Sequence, residues 1–150
     1  MRVSEICSRI VSHVDRHTGI LEAARRMREE HVGDLLVVDH RDGRTVPVGV
    51  LTDRDIVVGI LAIDTEHVRA LEVIDVIGGP LVTATEDEDL MPVLRRMRQF
   101  GVRRVPVLDG RGSLAGVLSV DDVIPALSDE IAEVAALVSR QAPREPGRRP

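Results

Sequence analysis

One passage of this chain is written twice, and that duplication restricts the fold more than any other feature. Gly49-Val50-Leu51-Thr52-Asp53-Arg54-Asp55 returns as Gly116-Val117-Leu118-Ser119-Val120-Asp121-Asp122. In both copies glycine stands three residues before a hydroxyl, and aspartate three residues after it. Upstream, Met27-Arg28-Glu29-Glu30-His31-Val32 aligns with Met97-Arg98-Gln99-Phe100-Gly101-Val102, an offset of 97 − 27 = 70. Val3-Ser4-Glu5-Ile6-Cys7 aligns with Val73-Ile74-Asp75-Val76-Ile77 at the same offset. At the glycine passage the offset is 116 − 49 = 67. The second copy therefore lacks three residues, and the loop from His40 to Thr45 is where such a loss is tolerated. One register, broken once in a loop, marks a duplicated unit.

Each unit reads as β-α-β-β-α. In the first, a short helical turn spans Val3 to Cys7 with Ser4 as its cap, and a strand lies around Ser12 to Val14. Thr18 is placed to cap a helix from Ile20 to about His31, whose Ile20, Ala23, Ala24 and Met27 fall at helical spacing. Strands follow at Leu35–Val38 and Val46–Leu51, joined by Arg41-Asp42-Gly43. Thr52 then caps a helix from Asp53 to about Ile63 that is apolar on nearly every face, which predicts an interface. The second unit has strands at Leu81–Thr85, Val105–Leu108 and Leu114–Leu118, with Ser119 capping its last helix. Pro125 predicts a kink or an end to that helix, and Ser128 the start of another. That further helix carries Ile131, Val134, Ala135 and Val138 on one stripe, which needs a partner. From Gln141 the chain has the composition of a disordered tail.

The repeated tetrad has two chemical readings. As a capping box, the hydroxyl takes an orphan N–H of the first turn and the carboxylate reaches back to the cap. As a ligand site, the helix N-terminus attracts phosphate, the hydroxyl adds a donor, and the carboxylate accepts from ribose hydroxyls. The glycine would leave room for a flat group to approach the backbone. The two readings are compatible.

Composition narrows the function. Phe100 is the only aromatic residue and the net charge is −5, which argues against base stacking and against a basic nucleic-acid surface. The core must be built from Val, Leu, Ile and Ala. Cys7 is the only cysteine, so no internal disulfide forms. No apolar run approaches the ~18 residues of a membrane span, and no stretch near Met1 reads as a signal peptide. A cytoplasmic protein is expected.

With both units in place, residues 3–127 resemble a CBS-domain pair, the Bateman module. The two Gly-h-x-Thr/Ser-x-x-Asp passages carry the resemblance, with Arg103-Arg104-Val105-Pro106-Val107 and Val82-Thr83 beside them. It implies an α/β (α+β) fold: tandem repeats over 1–66 and 67–127 packed about a pseudo-twofold axis, a C-terminal helix over 128–140, and a tail over 141–150. It also implies a regulatory, non-catalytic module that binds AMP, ADP, ATP or S-adenosylmethionine in clefts between the repeats, with magnesium as an occasional companion of the nucleotide. A homodimer and an unknown regulated protein are implied as partners. By the same resemblance Thr52 and Ser119 would contact phosphate or ribose, Asp55 and Asp122 would hold ribose hydroxyls, and Arg54 would meet phosphate. Asp121 stands beside Asp122 in the second site. Arg104, Val105 and Pro106, with Asp34, Leu35 and Leu36, would line the base pocket largely through backbone, and Thr83 would add a hydroxyl. His13 stands where Thr83 does, Val120 where Arg54 does, and Leu36 where Pro106 does, so the two sites should differ. The alternative is a ligand-free structural or interaction dimer in which the motifs are only helix caps.

Other clusters are weaker. His13 and His17 are four apart, but in a strand and loop with no third ligand. Glu86 to Asp89 reads first as a solvated helix start and second as a magnesium site. Arg95, Arg96, Arg98, Arg103 and Arg104 read as a solvated face or as phosphate contacts.

Overall fold

The computed structural model describes residues 1–141, in two three-stranded sheets with helices packed on each. The elements run α1 (Val3–Ile6), β1 (His13–Asp15), α2 (Ile20–Glu30), β2 (Asp34–Arg41), β3 (Arg44–Thr52) and α3 (Asp53–Ile56). They continue as β4 (Ala84–Thr85), α4 (Leu90–Phe100), β5 (Arg104–Leu108), β6 (Leu114–Ser119) and α5 (Val120–Gln141). Each sheet has the same order and sense, β1-β2-β3 and β4-β5-β6, with the first pair parallel and the second antiparallel. A register shift falls after Val37 in one sheet and after Val107 in the other, 70 residues apart.

The three missing residues come out of the hairpin. β2 and β3 have 8 and 9 residues where β5 and β6 have 5 and 6. The longer hairpin closes tightly at Asp42 (φ 51) and Gly43 (φ 74), the paired left-handed conformation that suits strand twist.

The halves exchange their leading segments. Val3 is fully buried among Leu90, Val93, Val105 and Leu118, which belong to the second sheet and its helix. Val73 is fully buried among Ile20, Leu35 and Leu51 of the first. The backbone repeats the exchange. Val3 N–H donates to Glu88 O at 3.0 Å and Val73 N–H to Thr18 O at 2.8 Å. The bridges Arg2–Asp89 and Gly19–Glu72 are likewise equivalent under the 70-residue offset. Each core is aliphatic, as the near-absence of aromatics requires.

Several local expectations are corrected. Thr18 does not cap α2; Gly19 is the cap residue, without a side-chain bond. Ser4 lies inside α1, where Glu5 accepts from the Arg2 N–H instead. Leu81 to Thr83 precede the strand rather than form it, since β4 holds only Ala84 and Thr85. Pro125 neither ends nor divides the last helix, and α5 runs unbroken to Gln141. As the sixth residue of α5 the proline removes one i→i−4 bond, to the Asp121 carbonyl, without ending the helix. Ser128 caps nothing; its hydroxyl donates back to Ile124 O at 2.9 Å. After Ile56 the helix of the first half loosens into a π turn over Val57–Leu61. Ile56 and Ile60 are buried there, while Val57, Val58 and Leu61 are about half exposed. The reading of the tail falls on residues 142–150, outside the described residues.

The exchange explains the repeated glycines. A Cβ on Gly116 would lie 2.6 Å from the backbone oxygen of Ser8, which pairs with Val117 in both directions at 2.9 Å. A Cβ on Gly49 would lie 2.6 Å from the Ile77 Cδ1. The crossing segments fill the room that a flat ligand was expected to use. A backbone cannot step aside and an isoleucine tip can. Gly116→Ala is therefore expected to destabilise by about 1–3 kcal/mol and Gly49→Ala by less, as urea unfolding would measure.

Candidate functional site

Both tetrads fold as capping boxes. Thr52 Oγ1 accepts from the Asp55 N–H at 3.1 Å, and Asp55 Oδ2 accepts from the Thr52 N–H at 2.9 Å. Ser119 Oγ accepts from the Asp122 N–H at 3.2 Å and donates to Asp122 Oδ2 at 2.7 Å. Asp122 Oδ2 also accepts from the Ser119 N–H at 3.2 Å. These bonds satisfy helix-start donors that would otherwise have no partner. Among the described residues they involve Asp122 Oδ2 and not Oδ1, which is left for another donor.

A cavity of about 310 Å³ opens beside the second box. It is lined from the first half by Ser8, Ser12, Asp34 and Leu36, and from the second by Arg104, Val117, Ser119, Asp121 and Asp122. Its volume falls at the low end of the ~300–1,000 Å³ typical of small-molecule sites. Asp34 and Arg104 occupy equivalent places, 70 residues apart, and pair with each other across the pseudo-axis. Arg103 approaches Asp121 at 3.9 Å with both side chains well exposed.

The remaining residues are dispersed. Arg54 and Asp55 line a different hollow of about 500 Å³, with Val58, Gly59, Leu71 and Asp75. Thr52 and Thr83 line neither cavity. Thr83 O accepts from Arg96 Nη2 at 2.6 Å. Leu35, Val105 and Pro106 are fully buried, so only their backbone could meet a ligand. His13 sits in a smaller hollow with Arg9 and Thr45, and its Nδ1 lies 3.1 Å from Val11 O. Asp34 and Leu36 line the cavity with Arg104, Ser119 and Asp122, and not the hollow that holds Arg54 and Asp55. Sequence reasoning passed over Ser8, which the exchange of α1 lays against Val117, and Ser12, whose carbonyl accepts from the Leu36 N–H at 3.1 Å beside β2.

The acid run before α4 is engaged with protein groups. Glu86 accepts from Arg9 at 2.5 Å and Asp87 from the Thr85 hydroxyl at 2.7 Å. Glu88 takes both terminal nitrogens of Arg96 at 3.0 Å and the Thr85 N–H at 2.8 Å. His17 lies 2.7 Å from Glu72. Among the described residues no three His, Cys, Asp or Glu side chains gather as metal ligands.

Comparison with known proteins now gives the class. The CBS-domain sequence profile matches residues 3–62 and 73–129, and the chain belongs to that family. It is 33% identical to an uncharacterized 17.7 kDa protein of Acidianus ambivalens over 129 residues, 85% of this chain and 74% of that protein. An uncharacterized protein of Methanopyrus kandleri is 29% identical over 124 residues, 81% of this chain; the match spans 60% of that relative's length. A CBS-domain pair solved with 5′-methylthioadenosine and S-adenosyl-L-methionine superposes with a TM-score of 0.68 at 22% identity, covering 85% of this chain and 99% of that one. No helix among the described residues is long and apolar enough to cross a membrane.

Two outcomes test these contacts. Ser119→Ala removes a cap and is expected to lower stability by about 1 kcal/mol in urea unfolding. The Arg96 guanidinium holds the Glu88 carboxyl below its usual 4.5. A depressed folded value stabilises above the unfolded one and is lost as pH falls through the folded value. The melting-temperature gap between the natural chain and Glu88→Gln should thus be full at pH 7 and shrink below about pH 4.5.

Proposed function

We propose that this chain is a regulatory, non-catalytic module that binds an adenosine-containing small molecule in the cavity beside Ser119 and Asp122. One observation carries the reading: the cavity draws its lining from both halves, so a molecule held there senses how they are set. Asp122 Oδ1 would accept from ribose hydroxyls, as an acid does in dinucleotide folds. Asp34 and Leu36 would meet the other end of the ligand, with Arg104 held by Asp34. The relative solved with methylthioadenosine and S-adenosylmethionine supports adenosine as the shared ligand part.

Charge selects among such ligands. The lining holds Asp34, Asp121 and Asp122 against Arg104 alone, and Val120 stands where the first copy has Arg54. With Asp34 paired to Arg104, Asp121 and Asp122 remain, and they would repel a triphosphate more than a neutral or sulfonium-bearing nucleoside. In this reading methylthioadenosine or S-adenosylmethionine binds better than ATP, and occupancy shifts the two halves toward one arrangement that a partner protein reads. The exposed Val57, Val58 and Leu61 supply an apolar face through which two copies would associate. The proposed setting is the cytoplasm, where a lone thiol such as Cys7 stays reduced.

A second reading rests on the capping boxes themselves, which use both hydroxyls and both aspartates structurally. Thermal shift with methylthioadenosine, S-adenosylmethionine, AMP and ATP separates the two. A ligand at 100 times its Kd adds about 2.7 kcal/mol of stability. Asp122→Ala should abolish that gain, and Asp55→Ala should leave it. No gain with any of the four would leave the caps as the motifs' whole role.

A further inference from the structure

The hollow of about 500 Å³ around Arg54 is built differently from the cavity beside Ser119. Two capping boxes meet in it. Asp55 Oδ2 accepts from the Thr52 N–H and Asp75 Oδ2 from the Glu72 N–H, both at 2.9 Å. Among the described residues each box leaves the Oδ1 of its aspartate for another donor. The third charged group is the Arg54 guanidinium. Among the described residues it enters no ion pair, although two carboxylates share its hollow. Opposite charges held apart in one recess leave a place between them for a molecule that carries both.

The backbone keeps that place open. One side of the hollow is the π turn Val57–Leu61, where the Ala62 N–H reaches back to Val57 O at 3.0 Å. Wide turns of this kind recur at functional sites. A Cβ on Gly59 would meet nothing within 4 Å. Val58, Leu71 and Val76 supply an apolar wall.

The other half serves as a control. Under the two repeat offsets Arg54 corresponds to Asp121, Asp55 to Asp122 and Asp75 to Glu5. Three acids stand there in place of a cation and two acids, and α5 continues as a regular helix. The mixed set is therefore not imposed by the scaffold. One cation against two carboxylates disfavours a polyphosphate and suits a ligand with one anionic and one cationic end.

We propose that this hollow binds a free α-amino acid with an aliphatic or thioether side chain. Its carboxylate would lie on Arg54, its ammonium between Asp55 and Asp75, and its side chain on Val58, Leu71 and Val76. The site is separate from the nucleoside cavity and does not depend on that reading.

Calorimetry on the full chain tests it, and L-leucine should bind with saturable heat. Isocaproate, which lacks the ammonium, and isoamylamine, which lacks the carboxylate, should bind at least about tenfold more weakly, each having lost a charge-assisted contact. Arg54→Met should weaken L-leucine by a similar factor and leave isoamylamine unchanged. Asp75→Asn keeps an oxygen for the Glu72 N–H, so it should weaken L-leucine and leave isocaproate unchanged. Gly59→Leu, whose Cβ meets no neighbour, should fill the recess and abolish binding. Arg54 is exposed, so thermal melting of Arg54→Met should match the natural chain. Folded Asp122→Ala should still bind L-leucine, which separates this site from the nucleoside cavity. No saturable heat with L-leucine or L-methionine at millimolar concentration would overturn the proposal. So would L-leucine binding that is unchanged in Arg54→Met or lost in folded Asp122→Ala.

Discussion

Val3 is entirely without solvent contact, yet the side chains that enclose it lie between positions 84 and 123. Val73 is its counterpart in the first core, enclosed by side chains between positions 14 and 60. Everything else about the architecture follows from these two valines. Because each half is closed by a segment leading into the other, the sheets are held at a fixed relation. The chain running between α1 and β1 must then pass directly along β6. That passage puts Ser8 on Val117, requires glycine at 116, and forms one wall of the cavity beside Ser119. Packing, glycine placement and the candidate site are three results of one crossing.

The duplication was legible because it is written in local chemistry. A hydroxyl followed three residues later by aspartate makes a capping box wherever it occurs, and both boxes are present. Aliphatic runs likewise marked β2, β3, β5 and β6 to within a few residues. The exchange was not legible. Val3 and Val73 stand at the head of their own repeats, and nothing nearby announces that each packs with the other half. The glycines misled for the same reason: Gly116 is crowded by an atom 108 positions away in sequence (116 − 8). Pro125 misled in the opposite sense, since the one bond it removes does not stop a helix that continues on both sides of it.

Near-symmetry of backbone leaves room for asymmetry of site. Asp34 and Arg104 hold equivalent places yet carry opposite charge, so they bind each other where two like residues would repel. Ile77 leans on Gly49 where Ser8 lies on Gly116, and Arg54 faces a hollow lined by Leu71 and Asp75 rather than the other half's strands. The two halves therefore share a scaffold and present different surfaces.

The crossed segments also impose an order on assembly. Val3 is made ahead of the elements that enclose it, and the groove it fills is complete only when β6 and the start of α5 have been made. Until then the segment that carries Val3 has no core to enter. The first core needs nothing beyond the turn around Val73 to be complete, so the segment that closes the second half is made long before its own place exists.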